Sequence, residues 1–385
     1  MAPATLGGPS QPLTIGIQER TTYDSDAARG SETAAAIRGL QSSDVIYSPS
    51  ITVNYVSPNP RRGLALRGYF GYDYYQRNRT LRREQIDVSA AGNATFGKCQ
   101  LGGQLSFDRG QSGLEDLTLL VTKNTIQSYT VSASETCVST AGLTESVQVL
   151  HSGVTNTAAL LVDYDTTGVS GSVGYSNHTL GNVSLVVDYS KTDYKNQLTS
   201  LPGTPNSLDV TSVGVQFSRP IGRRLAGQLG VYYSTSNTDL GSAQLPGEST
   251  SFNGVTANAG LTYQVGPRLH LTGSLFRGVQ ATIRQGAAFA VTDRVDLGAD
   301  YTLSSRIQVN LGGSWSKETF KGLDPLIQEV APNRVDLWMV GGGVTFKVGR
   351  KSALSADVHH EESKTDLALF NFKDDRVSLT ISTSF

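Results

Sequence analysis

Apolar and polar residues alternate with a period of two along most of this chain. In residues 64–75, Leu64, Leu66, Gly68, Phe70, Tyr72 and Tyr74 occupy one face, and Ala65, Arg67, Tyr69, Gly71, Asp73 and Tyr75 the other. Residues 86–96 set Ile86, Val88, Ala90, Ala94 and Phe96 against Asp87, Ser89, Asn93 and Thr95. The pattern is cleanest in 254–265, 295–303 and 307–316, where Val255, Leu261, Tyr263, Leu297, Tyr301, Leu311 and Trp315 share the apolar side. The last ten residues, RVSLTISTSF, repeat it, with Val377, Leu379, Ile381, Thr383 and Phe385 on one face. A period of two predicts strands with one apolar and one polar face. Soluble sandwich strands run to about five or six residues. Many here run to roughly nine to fourteen, the length that crosses a bilayer at a tilt.

The connections alternate too. Short turns fall at 57–63, 97–98, 218–224, 264–268, 302–306 and 347–351, and longer polar loops near 196–207, 239–249, 281–292, 317–334 and 364–374. Pro202, Pro205, Pro220, Pro246, Pro267, Pro325 and Pro332 are expected in turns or loops, because proline removes a ladder donor. Residues 1–12 read as a flexible lead-in, and residues 13–385 as one barrel domain. The first strand is expected at LTIGIQERTTYD (13–24) and the second at 44–56. Between them lies a long loop, 25–43, with a short helix through 33–40 as the alternative. A further charged loop is expected at 108–123. Residues 143–167 read as one strand, with a hairpin and loop as the alternative. The count is about 18 strands, an even number, which puts both termini at the short-turn rim.

Such a sheet must close on itself in hydrocarbon, where every backbone polar group has to pair internally. Tyr72, Tyr74, Tyr189, Tyr233, Tyr263, Tyr301, Trp315, Trp338 and Phe346 sit toward strand ends on the apolar face, as interfacial girdles do. No run of 18 apolar residues exists for a membrane helix. Composition agrees, with 38% hydrophobic residues, 41 glycines and nearly balanced charge, 32 basic against 33 acidic. That balance points away from nucleic acid. The opening MAPATLGGPSQP has neither a basic nor an apolar leader region, so the chain is expected to be a mature form without its leader.

The polar face carries the candidate chemistry. Expected lumen-lining residues are Arg67, Tyr69, Asp73, Tyr75, Asp87, Asp188, Gln228, Tyr232, Asp296, Asp300, Asp357, His359 and Glu361. So many polar groups suit a water-filled pore and not a dry core. Acids outnumber bases among them, which favours neutral or cationic solutes unless loop charges reverse it. HHEE (359–362) suggests a metal cluster, but only His359 and Glu361 share a face. No GxSxG elbow, phosphate loop or metal spacing occurs, so no enzyme, metal or cofactor is expected. Antiparallel pairing would place Cys99 and Cys137 at the same ends of adjacent strands, where a structural disulfide is reasonable.

The closing strand, ending on Phe385, resembles the C-terminal recognition strand of bacterial outer-membrane barrels. Thr383 departs from it, being smaller and more polar than usual there. The resemblance implies that Phe385, Ile381 and Leu379 form an assembly signal read by the barrel assembly machinery. QERTTYDSD (18–26), RGLALRGYFGYDYYQRN (62–78) and VSGSVGYSNHTLGNVSLVVDYSKTDY (169–194) resemble the outer-membrane β-barrel porin 2 family. Its members are linked to exopolysaccharide or capsule export. The resemblance therefore implies an all-β, up-and-down transmembrane barrel in the bacterial outer membrane, meeting lipid, polysaccharide and a periplasmic polysaccharide-export protein. A general diffusion porin is the alternative, and an outer-membrane enzyme or scaffold a further one. A loop folded into the lumen with opposed acidic and basic patches would favour the porin. A wide polar lumen open to the periplasm would favour polymer export.

Overall fold

The computed structural model describes residues 12–385 except 58, 60–61, 113–122, 159–160, 178–180, 196–204, 222–223, 241–250, 285–286 and 323–331. The first half holds β1 (Leu13–Asp24), α1 (Glu32–Arg38), β2 (Asp44–Val56), β3 (Arg62–Tyr75), β4 (Arg83–Phe96), β5 (Cys99–Gln111), β6 (Thr125–Val138), β7 (Leu143–Asn156), β8 (Asp163–Asn177) and β9 (Gly181–Lys195). The second holds β10 (Pro205–Ile221), β11 (Leu225–Leu240), β12 (Ser251–Val265), β13 (Leu269–Gln280), β14 (Phe289–Thr302), β15 (Ile307–Lys321), β16 (Arg334–Lys347), β17 (Ser352–Thr365) and β18 (Phe372–Ser384). Every strand pairs antiparallel with its sequence neighbours, and β1 also pairs with β18, closing an 18-stranded barrel. The seam runs from Gly16 opposite Ser384 to Asp24 opposite Arg376. Ile15 and Phe385 then exchange backbone hydrogen bonds at 2.8 and 3.3 Å, so the last residue is itself laddered.

The alternation dictates an inside-out distribution. Apolar residues of the outer face are exposed, Leu311 by 61% and Leu297 by 66%, as a lipid-facing surface requires. Girdle aromatics stand eight positions apart, Tyr47 and Tyr55 on β2, Trp338 and Phe346 on β16. At about 3.3 Å per residue and a tilt near 40°, eight residues span roughly 20 Å of bilayer. Beyond the girdle, on the long-loop side, the outer face turns charged. Arg277, Asp293, Lys317, Asp336 and Lys364 face one another in register across β13 to β17, alternating in sign. Arg277 reaches Asp293 at 2.6 Å, and Arg334 reaches Asp336 at 2.6 Å.

Several expectations are corrected. Residues 143–167 are not one strand: β7 ends at Asn156 and β8 begins at Asp163, with a connection between. The 25–43 stretch contains the short helix, because Ser31 caps it by accepting from the Ala34 N–H at 3.2 Å and Gly39 ends it at φ +65°. β5 continues to Gln111, so the charged loop starts later than 108. Pro205 and Pro220 lie within β10, at its ends, and Pro49 sits inside β2, where the β2–β3 ladder skips from Tyr47 to Ser50. Pro202, Pro246 and Pro325, and residues 1–11 of the lead-in, lie outside the described residues. Strands outrun their sequence signal because their long-loop ends stand above the lipid, where pairing persists but apolar alternation is not needed.

The apolar band gives a stability prediction. Leu311→Arg, at mid-band on the outer face, should cost about 2–4 kcal/mol, while Asn310→Arg on the lumen side should be tolerated. Loss of the heat-modifiable, folded band on gels for the first and not the second is the expected result.

Candidate functional site

The lumen is polar along its wall and, among the described residues, bridged at one mouth. Bridging begins with three connections spread around the ring. The β1–β2 connection supplies Ala28, Ala35 and Leu40, which pack with Leu81 of the β3–β4 connection and Leu161 of the β7–β8 connection. Ala158, also of the β7–β8 connection, and Ile283 of the β13–β14 connection join the same cluster. Val162 N–H donates to the Ile283 carbonyl at 2.8 Å, although their connections lie six strands apart. Tyr194 donates to the Ala288 carbonyl at 2.7 Å and Arg284 to the Pro332 carbonyl at 2.7 Å, with the Arg284 guanidinium 3.9 Å from the Phe320 ring. The largest fully buried side chains, Phe289 and Phe370 among them, belong to this mouth. Small alanines in α1 allow the close approach.

Polar contacts fasten the bridge to the wall. Asn78 and Gln41 exchange two hydrogen bonds, 2.8 and 2.9 Å, tying the β1–β2 and β3–β4 connections. A second fastening lies at the seam. Arg29 reaches Glu361 at 2.6 Å and lies 3.9 Å from Asp374; Arg376 pairs with Glu361 and, at 2.5 Å, with Asp374. Asp24 stands 3.8 Å from Arg376, and the Asp26 N–H donates to Asp374 at 3.1 Å. Three carboxylates, Asp24, Glu361 and Asp374, thus share two arginines in a largely buried setting. Burial, with the Asp374 charge beside it, pushes the Asp26 carboxyl up to about 6.

All thirteen expected lumen residues fall on the inward face, but in different surroundings. Asp73 and Glu361 are buried beneath the bridge: Asp73 accepts from Ser48 at 2.5 Å and from Gln85, and Glu361 belongs to the seam fastening. Tyr75 packs against the bridging cluster. Asp87 stands opposite Tyr69 on one side and Asp108 on the other. Tyr232 lies flat against the wall, where a Cβ at Gly214 or Gly230 would collide with it. His359 and Asp357 lean likewise over Gly341 and Gly343, which explains the glycine run on β16. Gln228 and Asp296 line a recess of about 680 Å³; Asp300 faces His270 below it. Arg67 and Asp188 join none of these groups. Asp24, Asp26, Arg29, Asp374 and Arg376 escaped sequence reasoning, though opposite charges at inward positions of the first and last strands were the available signal.

His360 and Glu362 point outward, to Asp375 at 2.7 Å and to the Trp338 indole at 3.1 Å, so HHEE is split by the strand. Among the described residues the grouping of metal-type ligands is Cys99, Glu135 and Cys137. Its two sulfurs are joined to each other, Cys99 and Cys137 being directly opposed on β5 and β6.

A closed antiparallel barrel with a lipid-type exterior, aromatic girdles and short turns at the rim of both termini defines a bacterial outer-membrane barrel of the porin and transporter type. The chain belongs to the putative beta-barrel porin 2 family, whose model matches residues 21–385. No curated protein matches it. Among solved structures it is similar to OccK2 (OpdF) of Pseudomonas aeruginosa, at 11% identity, 97% of this chain, 98% of that chain and TM-score 0.47. The FrpB iron transporter of Neisseria meningitidis (F5-1 variant) matches at 10% identity, 91% of this chain and TM-score 0.46; the chain spans only 61% of its length. The siderophore receptor PirA of Pseudomonas aeruginosa matches at 8% identity, 98% and 81% coverage and TM-score 0.43.

The fastening should respond to pH through Asp26. Its folded value lies above the ordinary carboxylate range, so the docked loop holds the proton more tightly than the free one. That contribution is present at acid pH and is lost as pH rises from about 4 through about 6. Proteolysis within 25–43 should accordingly be slower near pH 5 than at pH 8, and Asp26→Asn should reduce the difference.

Proposed function

We propose that this protein is a hydrophilic conduit for polysaccharide secretion across the outer membrane, held shut at its outer mouth by the bridging connections. One observation carries the reading: the wall is polar from the short-turn rim inward, while the opposite mouth is bridged by packed and ion-paired loops. In outer-membrane barrels the short-turn rim faces the periplasm. A lumen that opens to the periplasm can receive a polymer there, and the lumen tyrosines and amides offer ring faces and hydrogen bonds to sugars. A periplasmic export protein would dock at that rim, and the assembly machinery would read the strand ending in Phe385.

The diffusion-porin reading is favoured by the inward-folded β1–β2 connection. Against it, the acidic and basic groups there are paired with each other, Arg29 with Glu361 and Arg376 with Asp374. They are not opposed across an open gap, as a permanently open eyelet needs.

Planar-bilayer conductance tests the proposal. The intact protein should conduct little, and deletion of residues 26–41 should raise conductance severalfold. Absence of conductance in both would rule out a conduit. Rapid uptake of small sugars by liposomes carrying the intact protein would favour the diffusion porin instead.

A further inference from the structure

We infer that the periplasmic mouth carries a binding site for a polyanionic, uronate-type saccharide, on the arc of wall from β10 to β17. The inference rests on the conduit reading and specifies its substrate class.

Charge is unevenly divided between the rims. The four consecutive short turns joining β10 to β17 contain Arg223, Arg224, Arg268, Arg306, Arg350 and Lys351, and their sequences hold no Asp or Glu. Connections at the other rim mix both signs, with Asp26, Arg29, Glu32, Arg38, Arg284 and Asp366 among them. The arc is the denser part of this rim: elsewhere the β2–β3 and β4–β5 turns contribute Arg61 and Lys98, and the turn after β6 reads STAG.

Backbone geometry aims part of the arc inward. Gln264 N–H donates to the Arg224 carbonyl at 2.7 Å, Thr302 N–H to Arg268 at 2.8 Å, and Lys347 N–H to Arg306 at 2.8 Å. Each arginine therefore extends a ladder by one step beyond Leu225, Leu269 or Ile307, which share the outward side of their strands with Leu229, Leu275 and Leu311. Alternation turns Arg224, Arg268, Arg306 and Lys347 toward the lumen. The first three are exposed. They repeat on every second strand, about 10 Å apart at the usual strand spacing, close to two sugars of an extended polysaccharide. A guanidinium presents paired N–H donors that match a carboxylate.

Further in along the same arc lies the 680 Å³ recess, with Gln228, Thr262, Thr272 and Ser274 over a glycine floor at Gly260 and Gly298. These groups suit sugar hydroxyls. Of the acids on this arc, Asp296 is held by Arg294 at 2.9 Å and Ser274 at 2.9 Å, and Asp300 and Asp357 are outnumbered by Arg224, Arg268, Arg306 and Lys347. Turn charges thus reverse, at this mouth, the cation preference that the wall acids alone would give. A cationic mouth also raises the local concentration of an anionic chain.

The test is binding of fluorescent oligogalacturonate to the full-length protein in detergent, followed by anisotropy, with a neutral malto-oligosaccharide of equal length for comparison. The acidic oligomer should bind, weaken steeply with salt, and outbind the neutral one. Arg224→Gln, Arg268→Gln and Arg306→Gln together should weaken it at least about tenfold, and the three Arg→Lys changes should retain most of it. Lys317→Gln, Lys364→Gln and Lys373→Gln, on the outer face of the other rim, should leave it unchanged. Gel mobility verifies that each variant is folded. Equal binding of the neutral oligomer, or indifference to the arginine triple, would overturn the inference in favour of a rim that docks an acidic protein. Because the readout needs no open pore, failure here leaves the conductance result standing, and the reverse also holds.

Discussion

Backbone pairing across the β1–β18 seam is the interaction on which everything else depends. In hydrocarbon an unpaired strand edge costs several kcal/mol per orphaned group, so an 18-stranded sheet is stable there only as a ring. Ladder pairs from Gly16–Ser384 to Asp24–Arg376, continued by Ile15–Phe385, supply that closure. Once closed, the ring fixes the sidedness of every residue. Leu311 and Leu297 meet lipid; Arg67, Asp188 and Asp300 meet water. The apolar core among the described residues lies at the outer mouth, in the connections that meet there and in the strand ends beside them, such as Leu208, Val291 and Phe320.

Two mouths of unlike character follow. At the outer one, small alanines, a seven-residue helix and paired charges fill the opening. At the periplasmic one, nothing among the described residues crosses the lumen, and the tight turns carry positive charge, most densely from β10 to β17. A solute moving outward would pass from an attracting rim, along a polar wall, to a bridge that has to give way. Family membership fits such a barrel, and the polymer assignment is the proposal built on these two ends.

Much of the barrel was legible in the sequence. Period-two alternation in 64–75 and 307–316 gave both the strands and the faces, since a lipid-facing wall obliges every second residue to be apolar. Legibility failed where lipid contact ends. The tops of β10, β14 and β15 are strands rich in Thr, Ser, Asp and Lys, with no apolar period to announce them, and Pro49 is tolerated within β2 by a local gap in the ladder. The bridge was hidden for a different reason. Ala28, Leu81, Leu161 and Ile283 are brought together by ring geometry alone, and no local spacing encodes contact between connections six strands apart. Asn78 shows the same limit: it is buried and engaged with Gln41, a contact between two connections that no local spacing announces.

The seam fastening has a consequence for the order of assembly. Its members come from the first strand and the segment just after it, Asp24, Asp26 and Arg29, and from the last two strands, Glu361, Asp374 and Arg376. These two groups of residues are separated by more than three hundred positions and meet only when the two ends of the chain are zipped together. The outer mouth therefore cannot be sealed in a half-built barrel. Until the ring is complete the β1–β2 segment has no charged partners to settle on, so sealing of the mouth reports that the wall is finished and no leaking intermediate is locked in place.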